Sequence, residues 1–264
     1  MPPPWRATWD LIWIRSDRSP AAYHAQTRFD GVRWMDKQTS SKYSVSHLHR
    51  DNGCVPVACR DCGVYRLCVP LGLNEEEMSL LDYIVKRKQI IRRGQILFQT
   101  SQTLDYVYAI RSGSVKTYLT TEDGRVQITG FHVPGELLGL SALDSKRYSC
   151  EAMALETTSV CQVSAERLEE VADRIPAIHY QMLHIMSNQI CDNEHLMLLL
   201  GKRSAEERLA AFLLGLSQRF AARNYSATQF NLSMSRGDIG NYLGVAEETV
   251  CRVLSRLQIG RAHV

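Results

Sequence analysis

At Pro176 the pattern of the chain changes, and that change limits the folds open to it. Before it, from about Ile90 to Ser164, short apolar segments are cut by Gly94, Gly113, Gly124 and Gly135, spaced 19, 11 and 11 residues apart. Val115, Thr117 and Leu119 alternate with Lys116 and Tyr118, as in a half-buried strand. Several short strands at such spacing predict an antiparallel sandwich or barrel. After Pro176 the period is helical. Leu183, Met186, Ile190, Asn193, Met197 and Leu200 follow in steps of three and four, a coiled-coil-like seam. Ile178, Met182, Ile185, Leu196 and Leu199 form a second stripe beside it. Such a two-faced helix predicts one stripe against the β domain and the other against a second subunit, with Gln189 and Asn193 tuning the interface. The alternative is a helix buried wholly within one chain.

Cys59, Cys62 and Cys68 lie within ten residues, with Cys54 just upstream. Arg60, Asp61 and Gly63 punctuate the run, so it reads as an irregular loop. C-x2-C lets two thiolates reach one centre, and a further ligand can come from far along the chain. A zinc knuckle or a disulfide pair remains open on spacing alone. Eight cysteines without a secretory signal point to a reducing compartment, the cytoplasm, and to thiol chemistry. No apolar run approaches a membrane span.

The 264 residues suit roughly two domains. Charge is uneven along them. Residues 1–50 carry net +4, residues 51–200 net −5 and residues 201–264 net +4, giving +3 in all. A basic C-terminal segment on an acidic body is the pattern of a chain that meets a polyanion there.

Residues 1–53 hold all four tryptophans with no steady period and are left unassigned, as an extension upstream of a plausible true start at Met35. Residues 54–74 form the cysteine loop and 75–170 the β domain. Asn74 followed by three glutamates predicts a helix N-terminus, with Lys86, Arg87 and Lys88 at the C-terminal end of that helix. The long helix spans 176–201. Ser204-Ala-Glu-Glu207 is a capping-box pattern that opens the next helix within a 202–258 domain. There, a short helix ending at Leu243, a turn at Gly244 and a helix with Val250, Leu254 and Leu257 inward predict a helix-turn-helix. Its second helix enters the major groove. Glu248 suits a cytosine amino group and Arg252 a guanine, whereas Arg236 and Arg256 suit phosphates.

Taken together, the cysteine run, Tyr108-Ala-Ile-Arg-Ser-Gly113, Gln127-Ile-Thr-Gly-Phe-His132, Ala205-Glu-Glu-Arg-Leu-Ala-Ala-Phe212 and Arg236-Gly-Asp-Ile-Gly-Asn-Tyr-Leu-Gly244 closely resemble the FNR branch of the CRP/FNR transcription regulators, over roughly residues 54–258. The resemblance implies an α+β fold: an N-terminal antiparallel β-roll of the cyclic-nucleotide-binding type, a long dimerisation helix and a C-terminal winged helix-turn-helix. It implies a [4Fe–4S] cluster on Cys59, Cys62, Cys68 and Cys161, with Leu67 placed to shield it. Cys54, Cys150, Cys191 and Cys251 match no ligand position.

The implied function is that of a cytoplasmic, oxygen-sensing homodimer that binds inverted-repeat double-stranded DNA at promoters of anaerobic metabolism and contacts RNA polymerase. The turn at residues 121–125 is the candidate polymerase surface. Glu151-Ala152 stands where cyclic-nucleotide members hold the ligand phosphate, so cAMP is not the expected effector, although Glu136 remains. The chain departs from the branch at three places. Cys251 replaces a serine in the recognition helix, which alters the base contact expected there, and Asn193 replaces an acid in the seam. Residues 259–264 read as a non-native tail, leaving the wing truncated. Two other classes remain: a redox iron–sulfur protein, for which the sequence offers no nucleotide fingerprint or substrate constellation, and a zinc-structured protein without sensing. An enzyme is not expected.

Overall fold

The computed structural model describes residues 59–64, 67–68 and 73–257. The expectations for residues 1–53, Cys54, the wing and the 259–264 tail lie outside them.

Helix α1 (Glu75–Ile84) starts as its sequence demands. The Asn74 side chain accepts from the Glu77 N–H at 2.9 Å, and the Glu77 carboxylate accepts from the Asn74 N–H at 2.9 Å. It ends earlier than expected. Lys86, Arg87 and Lys88 do not close the helix but belong to strand β1 (Val85–Ile91). The antiparallel ladder of β1 with a distant strand, through pairs such as Val85 with Val163 and Ile91 with Thr158, outweighs the favourable placing of cations at a helix end.

The remaining strands are β2 (Ile96–Phe98), β3 (Tyr106–Ser112), β4 (Val115–Thr120), β5 (Val126–His132), β6 (Leu137–Leu138), β7 (Glu151–Ala154) and β8 (Thr158–Ser164). They make two four-stranded sheets in the orders β1-β8-β3-β6 and β2-β7-β4-β5, with antiparallel pairing throughout. Strand β3 is buried on both faces, and its period of two sorts its residues between two cores. Tyr108 and Ile110 pack with Phe98, Val115, Tyr148 and Val160. Val107 and Ala109 pack with Leu81, Leu168, Ile178 and Met182 of the helices.

Strand β4 keeps the alternation expected of it but is covered on both faces. Val115 and Thr117 are buried, but so is Tyr118, and Leu119 is exposed. Tyr118 lies on the same face as Lys116, whose ammonium meets Asp238 of the C-terminal helices, and the register shift between Thr117 and Tyr118 places its extra residue on β5. Tyr118 thereby joins Ile128, Phe131 and Leu155 beneath the C-terminal helices.

Helix α2 (Ala165–Arg174) leads through Ile175 into α3 (Pro176–Lys202), where Pro176 takes the first turn, which tolerates a missing N–H. Ile178 and Met182 are buried against the β-roll. Helix α4 (Ala205–Ala221) begins with the expected capping box between Ser204 and Glu207. Helices α5 (Arg236–Leu243) and α6 (Glu247–Arg256) are the last elements among the described residues. Leu209, Phe212, Leu216, Ile239, Leu243, Val250, Val253 and Leu254 form their core, continuous with the outer face of β4 and β5.

Candidate cluster site and nucleic-acid interface

The cysteine loop folds over the first sheet. A short 3-10 turn spans Cys59–Asp61, and the Cys59 N–H donates to Asp82 Oδ1 of α1 at 3.1 Å. The Cys62 N–H donates to the Cys59 carbonyl at 3.1 Å, and the Leu67 N–H to the Val64 carbonyl at 3.0 Å. On the far side Gln181 Nε2 of α3 donates to the Cys68 carbonyl at 3.3 Å. The loop is thus hydrogen-bonded to both α1 and α3.

Cys161 enters from β8, whose partners are β1 and β3, with Ala109 directly opposite it. Because side chains alternate along the strand, Cys161 shares the helical face with Val163, while Val160 turns into the sandwich. The result is one cavity lined by Cys59, Cys62, Cys68 and Cys161. Val64, Leu81, Val85, Ala109, Ile110 and Val163 supply its apolar wall, and Arg111 supplies a cation.

The donor set fits an iron–sulfur cluster. Four soft thiol ligands share a largely apolar cavity. A single tetrahedral zinc would draw on the same thiolates. Cys150 lies outside the cavity, in the core of the sandwich, where burial pushes its thiol pKa up.

Gly135 carries the loop. Its φ of +90° belongs to the left-handed region, and a Cβ there would stand 2.8 Å from the Cβ of Leu67. Gly135→Ala is therefore expected to push Leu67 away from residue 135 and to reduce the iron retained after anaerobic gel filtration by about half or more. The backbone strain and overlap together are worth about 1–3 kcal/mol. Retention equal to wild type would show that the loop does not seat the thiols.

The helix-turn-helix is built around two glycines. Gly244 ends α5 at φ +63°, and a Cβ on Gly240 would meet the Val245 carbonyl oxygen at 2.7 Å. The outer face of α6 presents Glu248 and Arg252, both exposed, as a base-reading pair requires. Cys251 is half-buried, and its sulfur accepts from Arg236 Nη1 at 3.3 Å. Arg256 is ion-paired with Glu206 on the surface. Exposed pairs of this kind are weak, so a phosphate can displace the glutamate.

Helix α5 is tied to the β-roll. Lys116 Nζ meets Asp238 Oδ1 at 2.6 Å; burial pushes the Asp238 carboxyl up, but hydrogen bonds from Lys116 and Ser235 outweigh it and lower its pKa. Asn241 Oδ1 accepts from the Ile128 N–H at 2.6 Å, and Asn241 Nδ2 donates to the Val126 carbonyl at 2.7 Å.

The seam residues of α3 divide. Leu183, Ile190 and Met197 are 51%, 59% and 66% exposed, Asn193 is exposed and Leu200 half-buried. Met186 instead packs in part against the β-roll core, and Gln189 Nε2 turns back to the Leu137 carbonyl at 3.5 Å, so neither stands free in the seam as expected. Asp82, Gln181 and Asn241 escape the sequence reading, because each acts through the main chain of a segment remote in sequence, and Gly135 reads there only as a break between strands. Arg219, in the last turn of α4, and Arg223, two residues beyond its end, are four apart, a spacing visible in the sequence.

Comparison with known proteins follows the same division of the chain. The cyclic nucleotide-binding domain family matches residues 88–174 and the Crp-like helix-turn-helix domain family residues 207–259. The transcriptional activator protein Anr of Pseudomonas protegens is 52% identical over 200 residues, which are 76% of this chain and 82% of Anr. The chain belongs to the FNR branch of the CRP/FNR transcription regulators. The fumarate and nitrate reduction regulatory protein of Escherichia coli K12 is 46% identical over 209 residues, 79% of this chain and 83% of that one. FixK2 of Bradyrhizobium japonicum superposes with a TM-score of 0.62 at 33% identity, over 67% of this chain and 88% of that one. This member of the FNR branch is accordingly a DNA-binding transcription regulator and not an enzyme. Among its described residues no helix is long and apolar enough to cross a membrane.

Proposed function

We propose that this regulator is an oxygen-responsive transcription activator of the cytoplasm. In this reading Cys59, Cys62, Cys68 and Cys161 hold a [4Fe–4S] cluster that governs dimerisation and the binding of inverted-repeat promoters of anaerobic metabolism genes. The observation that carries the reading is the common cavity of the four cysteines, three from the loop and one from β8. Bound there, the cluster supplies an oxygen-labile tie between the loop and the sheet. The residues around it transmit the state of that tie. Asp82 and Gln181 hold the two ends of the loop against α1 and α3, so the seating of the loop bears on the helix that carries the dimer seam. A seam with two packings is biased by whichever state the loop favours.

The second subunit covers Leu183, Ile190 and Met197, large apolar residues that this chain leaves exposed. Ile190→Glu is expected to leave the fold intact, since the side chain touches little of its own chain, and to convert the anaerobic dimer to monomer in sedimentation. An undiminished dimer would place the interface elsewhere.

Cyclic AMP has no role in this reading. Glu151, at the place of a ligand phosphate, accepts from the Tyr118 hydroxyl at 3.0 Å and from Thr120 Oγ1 at 3.1 Å, and an anion there would be repelled. The turn at 121–125, closed by the Thr121 N–H to the Arg125 carbonyl at 2.8 Å, offers an exposed surface for RNA polymerase. Retention of an inverted-repeat duplex, anaerobically and then after air, tests the proposal. Retention lost on air supports it, and equal retention in both states would remove oxygen from the function.

A further inference from the structure

Glu136 follows the glycine that carries the cysteine loop, yet its carboxylate faces the other way, into the C-terminal domain. Arg219 of α4 donates from Nε to Oε1 at 3.0 Å and from Nη2 to Oε2 at 2.6 Å, a two-pronged pair. Arg223, one turn on, donates from Nη2 to Oε1 at 2.8 Å. The guanidinium groups also cap main-chain carbonyls of the β-roll: Arg219 that of Phe131 at 2.5 Å, and Arg223 that of Pro134. His132 Nδ1 lies 3.6 Å from Oε2 and the Val133 N–H donates to Oε2 at 3.3 Å, so the carboxylate is held from its own side as well. Burial pushes the Glu136 carboxyl up, but His132 and Arg219 outweigh it and bring its pKa down to about 2. Arg223 is only 5% exposed and Glu136 24%. A buried guanidinium with this many ligands has one orientation, and removing its carboxylate leaves a charge uncompensated.

The direction of the docking matters. The β-roll is met by α4 through this clamp and by α5 through Asp238 and Asn241. Glu248, Arg252, Ser255 and Arg256 of α6 remain exposed. The clamp therefore fixes the helix-turn-helix without covering its reading face.

We propose that Glu136 is a positioning residue for DNA reading: it locks α4, and with it the helix-turn-helix, onto the β-roll, so that the two reading faces of a dimer keep one fixed separation. This rests on the dimeric, inverted-repeat reading given above. Fixed half-site spacing is a geometric demand of such binding, about 34–36 Å between centres. A domain already held in one orientation on its own β-roll has less orientational freedom to lose on binding.

The test is spacing tolerance, measured on the full chain under anaerobic conditions. A symmetric duplex selected by the wild type from a random pool is compared with the same half-sites moved apart by about two base pairs. Wild type is expected to prefer the selected spacing by roughly tenfold or more. In Glu136→Gln the preference is expected to collapse towards one, while affinity for a single half-site stays unchanged. A variant that merely weakens the fold would lose both duplexes and the half-site alike. Should Glu136→Gln fail to fold, Arg219→Gln, whose side chain is 33% exposed, carries the same expectation. A folded variant that keeps the wild-type preference would overturn the clamp alone. A wild type indifferent to spacing would overturn both the clamp and the dimeric reading.

Discussion

Cys161→Ala is expected to abolish cluster retention and to lower anaerobic affinity for the operator by about tenfold or more, ~1.4 kcal/mol. The size of the effect follows from where Cys161 sits. It is the single cavity cysteine contributed by the sheet, and it stands on β8 between β1 and β3, paired with Ala109 of β3. Cys59, Cys62 and Cys68 share one loop and would still sit together without it. What the substitution removes is the link between that loop and the sheet. The fold has little reason to suffer, because alanine is smaller and apolar and its neighbours Val163 and Ala109 are apolar too. Unchanged circular dichroism with iron near zero is the expected outcome. Iron retained at the wild-type level would show that the fourth ligand is not Cys161.

Gly240→Ala is expected to damage the other half of the molecule. A Cβ there would lie 2.7 Å from the Val245 carbonyl oxygen and 3.5 Å from the Glu247 nitrogen, both main-chain atoms that cannot rotate away. The turn cannot relax easily either, since Gly244 already holds the left-handed conformation and its N–H is bonded to Asn241 and Gly240. Helix α6 must therefore shift relative to α5, opening the packing of Ile239, Leu243 and Val250. Overpacking of this kind costs about 1–3 kcal/mol. The melting temperature is expected to fall by roughly 2–4 °C per kcal/mol for a chain of this size. Specific DNA affinity should fall further than the stability loss alone requires, because Glu248 and Arg252 move with α6. A variant with wild-type melting and operator affinity would mean that the two helices do not need so close an approach.

The helix-turn-helix was legible in the sequence because its signals are local. Gly244 as turn and the spacing of Val250 and Leu254 each act within a few residues. The long helix was equally legible from its period, but not the division of its faces, since Met186 turns to the β-roll through contacts no period reveals. Strand β4 shows the same limit. Its outer face is covered by helices far along the chain, so the burial of Tyr118 could not be read from β4 alone. In the cysteine loop, spacing marked Cys59, Cys62 and Cys68, whereas Cys161 came only from resemblance to a family. Its place in the same cavity follows from the pairing of β8 with β1 and β3. Lys86, Arg87 and Lys88 were assigned to a helix on sound electrostatics, and a long-range ladder overrode it.

The central claim is that the four thiols hold an oxygen-labile iron–sulfur cluster. The most direct measurement is anaerobic reconstitution of the full chain, followed by its visible spectrum and by iron, sulfide and zinc analysis before and after air. A brown protein with about four irons and matching sulfide per chain, bleaching in air, is the expected result. A colourless protein holding one tight zinc, unchanged by air, would contradict the claim and leave a DNA-binding regulator with no oxygen signal.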